Sequence, residues 1–407
     1  MRLLLPMILP SLFMGLTGIS SFGVAMMPLC FAYLLFLLSR FELPVRLSRT
    51  AFLAVIAALC SVFTTGVLAF SDIDQRQAVS CVALLIALPA VYDYVHRLTS
   101  ISLRRFKATV LVAYFTLCVI GIAGVVGVFQ PGLYRDMNYP VFPFLEPSHF
   151  ALSFALVTCL AMSVVEGGAR YALVAVSFAM SMLFPNLTLL VVSCLELLLL
   201  ARGTVKSGAL IAAIVTGAAT FIVLDPSVVP YWSGRLAEGE AGNISRLVYF
   251  QGLDSMLIAG DVTHWLGLGF QNLGKEPDGP SAILLDNMGV QPQNRLDGGF
   301  IAAKVVAEFG ILGILACIFV LRLWYLSLVA LRRHIRGESA SRVTDPSTIL
   351  SLCSAYTFII EFAVRGSGYF SPTCLIYLCV APAAWKAAWP SGGRRAPVGP
   401  SSRVALS

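Results

Sequence analysis

Apolar positions in this chain come in long unbroken runs rather than in the alternating or three-to-four spacing of a soluble fold. Runs near the ~20 residues that cross a bilayer as a helix fall at 3–18, 22–38, 50–70, 77–95, 108–129, 148–165, 171–184, 187–201, 208–224, 299–327, 349–364 and 372–389, twelve in all. The first two come from one apolar stretch interrupted at Gly18-Ile19-Ser20-Ser21. Because the apolar pattern continues beyond any cleavage point, a removed signal peptide is not expected. The segments 171–184 and 187–201, parted by Pro185-Asn186, are short and also suit a re-entrant pair. One long polar segment interrupts the pattern, from 225 to 298, ending in Asn294-Arg295-Leu296-Asp297-Gly298. Four regions follow: spans one to nine in 1–224, the loop 225–298, spans ten to twelve in 299–389, and a Gly-, Pro- and Ser-rich tail 390–407 read as disordered.

Composition agrees. Hydrophobic residues make up 58% of the chain and charged residues 12%, too few charges for the surface of an ordinary soluble globule. The net charge of +7 does not imply nucleic-acid binding, which needs a continuous basic face. Instead, Arg40, Arg46 and Arg49, then Arg97, Arg104, Arg105 and Lys107, then Arg170, Arg202 and Lys206, then Arg332, Arg333, Arg336 and Arg342 fall in breaks on one side. Positive residues mark the cytoplasmic side, so both termini are expected there and the loop 225–298 outside. The ten cysteines lie in apolar runs without metal-ligand spacing and read as small buried hydrophobes.

Candidate chemistry gathers on the expected outer side. Glu146 and His149 flank Pro147-Ser148 at the start of the sixth span. That spacing suits a helix start with an incidental histidine, and equally an acid and a base at a lipid–water boundary. Arg135 precedes them in the same loop. Within the long loop, Arg235 and Arg246 stand among aromatics, where guanidinium groups suit phosphate oxygens. The stretch 245–253 reads as an amphipathic helix with Leu247, Phe250 and Leu253 toward the membrane. Next come the glycine turn Trp265-Leu266-Gly267-Leu268-Gly269-Phe270, then Arg295 and Asp297. Lys304 and Glu308 follow inside the tenth span, four residues apart, either as a mutually satisfied pair or as a functional one. Arg365 opens a glycine-containing loop, Arg365-Gly366-Ser367-Gly368-Tyr369.

Taken in order, Glu146-Pro147-Ser148-His149-Phe150-Ala151-Leu152, the Arg246 helix, Trp265–Phe270 and Glu308-Phe309-Gly310-Ile311-Leu312-Gly313 resemble the O-antigen polymerase and ligase superfamily. The resemblance covers about 130–315 by motif and the whole chain by topology. It implies an all-α polytopic membrane protein of about twelve transmembrane helices, with the GT-C type of glycosyltransferase architecture and a large periplasmic loop, in the bacterial inner membrane. The implied substrate is an undecaprenyl-pyrophosphate-linked oligosaccharide at the periplasmic face, with no metal, cofactor or nucleotide sugar. On this reading Arg246, Arg235 and Arg295 neutralise the leaving pyrophosphate, Arg135 and Arg365 are further candidates, and Glu146, His149 or Asp297 takes the acceptor's proton. Tyr134, Tyr139, Tyr231, Trp232 and Tyr249 are candidates to stack on sugars. Implied partners besides the bilayer are a chain-length regulator and a flippase, with no nucleic acid.

The sequence departs from the ligases, whose His-Asn pair is replaced here by Asp297-Gly298-Gly299-Phe300, which favours a polymerase. The polymerases' arginine followed by glycine after ten residues is also absent around Arg235 and Arg246. A ligase acting on lipid A core remains an alternative, as does a transporter of the lipid-linked unit, although no internal repeat is visible.

Overall fold

The apolar runs become helices whose ends follow from capping residues. A computed structural model describes residues 2–19, 21–40, 52, 55–62, 75–127, 141–144, 146–183, 186–201, 244–288, 296, 298–337 and 345–389. Helix α1 spans Leu5–Thr17 and α2 Phe22–Ser39, and residues 55–62 are helical. Then come α3 (Gln75–Thr99), α4 (Leu103–Val126), α5 (Pro147–Val164), α6 (Ala169–Leu183) and α7 (Leu187–Leu200). The remainder comprises α8 (Ile244–Thr263), α9 (Pro280–Asn287), α10 (Ile301–Arg336), α11 (Pro346–Ala363) and α12 (Pro372–Ala388). Proline, whose missing N–H costs nothing in a first helical turn, opens α5, α9, α11 and α12. The Asn186, Asp345 and Ser371 side chains accept from backbone N–H groups of the first turns of α7, α11 and α12.

Helices α5 and α11 form the centre. Every residue from Phe150 to Ser163 on α5 is buried, and a helix apolar all round belongs inside a bundle. Around it pack α4, α7 and α11, while α10 and α12 close on α11. The outer helices expose apolar stripes, such as Val112, Phe115, Val119 and Ile122 on α4, and Ile311, Leu312, Leu315 and Ile318 on α10. Stripes of this length are costly in water and natural in lipid. Among the described residues six helices are long and apolar enough to cross a membrane, so the chain is an α-helical membrane protein. Cys60 and Cys194 are exposed on this apolar surface, against the expectation that all ten cysteines are buried. At 1.5 Å rise per residue, α6 and α7 are each about 22 Å long, short of a hydrocarbon core about 30 Å thick.

The two ends of the bundle differ. At one end basic side chains cap helix carbonyls: Arg170 donates to Met162 and Ile335 oxygens, Arg332 to Leu198 O, and Arg336 to Ala201 O. Cations there oppose the negative ends of helix dipoles. The other end, called the loop face below, gathers residues 141–144, 146–149, 264–276, 296, 298–300 and 364–371.

The tenth predicted span is not one continuous helix. Gly310, at φ 57° and ψ −128°, breaks α10 into segments 301–309 and 311–336. The two segments fold back on each other, so closely that a Cβ on Gly313 would lie 2.3 Å from Val305 O. Lys304 and Glu308 therefore lie on a short segment ahead of the membrane-length helix, not within it. Such a break strands amide and carbonyl groups, and the turn 265–269 satisfies them. Leu268 N and Gly269 N donate to Ala307 O and Glu308 O, and Ile311 N donates to Trp265 O, each at 2.9 Å.

Helix α8 also differs from expectation. It runs to Thr263, and Leu247 is buried while Phe250 and Leu257 are exposed, so Leu247 and Phe250 do not share a lipid-facing side. It packs on α10, with α9 against it.

A Cβ at position 310 would meet Trp265 O at 1.9 Å in a backbone conformation only glycine holds comfortably. Gly310→Ala is expected to cost about 3 kcal/mol or more through strain and lost caps. Gly168→Ala, with nothing within 4 Å of the added carbon, is the neutral control. Thermal unfolding of both variants in detergent checks this, and equal midpoints would contradict it.

Candidate functional site

At the loop face, Glu146 takes an extended backbone and becomes the residue before the first turn of α5. Its carboxylate accepts from Ser148 Oγ at 2.8 Å and pairs with Arg365 Nη2 at 3.0 Å. The helix start predicted from Glu-Pro-Ser and the charged cluster are thus one object. Burial of the Glu146 carboxyl works against its charge. At the acid pH where this carboxyl titrates, the protonated His149 ring and the Arg365 guanidinium, with hydrogen bonds from Ser148 and Arg365, overcome that and lower its pKa from 4.5 to about 2. A carboxylate so weakly basic is a charge partner for Arg365 rather than a proton acceptor near neutral pH. The role of base among the described candidates passes to His149, whose ring meets Phe22 edge-on at 4.8 Å and lines a small polar cavity with Ser153, Ser367 and Ser371.

The Arg365 loop continues into the start of α10. Gly366 N donates to Gly299 O at 2.8 Å, and a side chain at 366 would strike Phe300 and Ile301. On the other side of this strip, Gly252 of α8 lies against Gly298 O, and Tyr249 stacks on Phe300 at 4.5 Å. Residues 298–300 therefore join the Arg365 loop to α8, which carries Arg246 in its first turn. Tyr249, a candidate for sugar stacking, is already engaged by Phe300. Arg135, Arg235, Arg295 and Asp297 lie outside the described residues, as does the side chain of Arg246, and so do Tyr134, Tyr139, Tyr231 and Trp232.

A second polar group holds this strip from within. Lys304 and Glu308 are fully buried, 3.8 Å apart. Lys304 Nζ also donates to Gln271 Oε1 at 3.2 Å and to Leu296 O, and sits over the Tyr369 ring. Arg76 donates to the same Gln271 oxygen at 3.0 Å and to Leu296 O. Gln77 Nε2 donates to Phe270 O, and Phe270 N donates to Ser61 Oγ. The pairing offered by the four-residue spacing is present, and through Lys304 it also holds a loop. His264, Trp265 and Gln271 have positive φ without being glycine, a costly conformation, and these contacts hold the segment in it.

Sequence reasoning missed one participant, Arg76, and two buried carboxyls in the bundle. Arg76 precedes an apolar run and carried no signal beyond its charge. Glu196 of α7 and Glu361 of α11 are buried carboxyls inside apolar helices, and acidic residues in such runs are the signal that was available. Among the described residues no group of three or more His, Cys, Asp and Glu has the geometry of a metal site.

No family model matches the chain, and neither a curated protein nor a solved structure does.

Two tests follow. Lys304→Met strands the buried Glu308 and is expected to cost about 3–5 kcal/mol. Adding Glu308→Gln should recover part of that loss, measured as unfolding midpoints in detergent, whereas additive losses would show the pair uncoupled. For Glu146, the lowered pKa means its pairing is fully present above pH 4.5 and is lost as pH falls through about 2. Its side chain as a whole is 46% exposed, so solvent screening limits the effect to about 1 kcal/mol. Between pH 5 and 2 the unaltered protein should lose stability relative to Glu146→Gln, and parallel midpoints would contradict this.

Proposed function

We propose that this chain is a polymerase that joins undecaprenyl-pyrophosphate-linked oligosaccharide units into a surface polysaccharide, working at the outer face of a bacterial inner membrane. The observation that supports this reading is the meeting of the segments carrying the family resemblance at one end of the bundle. The turn 265–270 caps the break at Gly310, and the Glu146–His149 start of α5 faces the Arg365 loop, joined to α8 through residues 298–300. In the proposed reaction, a hydroxyl oxygen of the incoming unit attacks the anomeric carbon of the growing chain. The new C–O bond forms as the bond to the lipid pyrophosphate breaks, and the electron pair leaves on that pyrophosphate.

Arg365 and Arg246 neutralise the departing charge, which a low-dielectric site makes worth far more than in water. Arg365 is held by Glu146 when no anion is bound, so Glu146 aims the guanidinium while its remaining N–H groups face the incoming phosphate. His149 takes the proton of the attacking hydroxyl. A transporter of the same lipid-linked unit is the second reading, and the observation favouring it is the pair of carboxyls, Glu196 and Glu361, buried inside apolar helices.

The test is a ladder assay: purified protein in nanodiscs with lipid-pyrophosphate repeat units, without nucleotide sugar. A ladder is expected, and Arg365→Ala and Arg246→Ala should each slow its growth by about 10²–10³-fold. Arg365→Lys should recover only part of the rate, because an ammonium cannot match two phosphate oxygens with a planar fork. Movement of units across the bilayer with no ladder would overturn the polymerase in favour of the transporter. Transfer only to added lipid A core would favour the ligase.

A further inference from the structure

Beneath the Glu146–Arg365 pair the loop face holds a second carboxyl in the opposite surroundings. Glu361 lies in the last turn of α11 and is fully buried. Its Oε2 accepts a hydrogen bond from the hydroxyl of Thr373, in the first turn of α12, and Thr373 in turn contacts Ser371 Oγ at 3.5 Å. Oε1 makes no hydrogen bond of good geometry among the described residues, and the Ser371 hydroxyl and the Ser367 backbone lie close enough to act on the carboxyl only weakly. No lysine or arginine among those residues is ion-paired with it.

The unpartnered oxygen has somewhere to reach. Glu361 and Thr373 line a cavity of about 10 Å³ with Ser354 and Thr357. Thr373 also lines a second cavity of about the same volume, whose wall includes His149, Ser153 and Ser371. A polar cavity of this size accepts about one water molecule. A buried carboxylate without a cation is costly, and a buried carboxyl oxygen without a hydrogen bond is costly as well. Both costs fall if the group carries a proton and meets a water.

We propose that Glu361 is a proton-binding site, hydrated by one water in each cavity and in exchange with the loop face by way of the His149 ring. The proton passes from Glu361 to the water in the cavity lined by Ser354 and Thr357, then to the water in the cavity lined by Ser371 and Ser153 and on to the His149 ring, and the carboxylate left behind keeps the Thr373 hydrogen bond. The groups facing this site are few. From α12 come Cys374, Thr373 and Ser371, from α5 His149 and Ser153, and from α11 itself Ser354 and Thr357. The nearby charges are already engaged, Arg365 with Glu146 and Lys304 with Glu308. The inference stands apart from the polymerase reading, since a transporter would hold such a proton equally well.

Infrared spectra of the full-length chain in nanodiscs, in H₂O and in D₂O, test it. The unaltered protein should show the carbonyl stretch of a protonated carboxyl that shifts on deuteration, and Glu361→Gln should lose that band. Thr373→Val keeps the carboxyl and removes its donor, so the band should move to higher frequency, a readout that stands even if Glu361→Gln fails to fold. His149→Phe should slow the deuterium shift, and added sodium should leave the band in place. A band unchanged in both the Glu361 and Thr373 variants would overturn the proposal, as would a band that never shifts in D₂O. An unchanged exchange rate in His149→Phe would overturn the route, and loss of the band with sodium would show that the site takes a metal cation instead.

Discussion

The arrangement depends on the satisfaction of backbone groups where α10 is broken. A helix that stops inside an apolar medium leaves amides and carbonyls with no water to turn to, each costing several kcal/mol if left alone. Here the carbonyls of Ala307 and Glu308 and the amide of Ile311 are taken by residues 265, 268 and 269. The glycines at 267 and 310 let the two backbones approach, since a side chain at either would strike the opposite main chain. Once that contact exists, Phe270 and Gln271 are brought to α3, and Lys304 is brought to Gln271 and Leu296. The loop face is thus built on backbone-to-backbone bonds, with buried charges tying down what they position.

Two glutamates on this face show how surroundings divide identical side chains. Glu146, before the first turn of α5, has Arg365 and Ser148 as partners and stays charged. Glu361, one layer deeper, has a threonine donor and a water-sized cavity. Pairs of carboxyls separated in this way are how membrane and soluble enzymes alike keep one group anionic and another able to give a proton.

Much of the architecture was legible because lipid imposes length and apolarity on a helix. The runs at 22–38, 108–129, 148–165 and 349–364 coincide with helices α2, α4, α5 and α11 to within a few residues. The break at Gly310 was not legible, because the apolar pattern runs through it unchanged and only a contact with residues forty positions earlier reveals it. For the same reason Lys304 and Glu308 could be paired by spacing but not placed. Leu247 and Phe250 were misassigned to one face because α8 packs against protein along one side, which helical periodicity in a short window does not distinguish from lipid. Of the site, Glu146, His149 and Arg365 could be picked out by residue type, whereas their meeting depends on α5 and α11 lying side by side across two hundred residues of chain.

The cap on α10 also bears on how the protein is made. Residues 265–269 leave the ribosome before the helix they serve, and the conformation that caps it is fixed only once Lys304, Glu308 and Ile311 arrive. Segment 301–309, with its buried lysine and glutamate, and the turn 265–269 settle together, each supplying the backbone groups the other lacks.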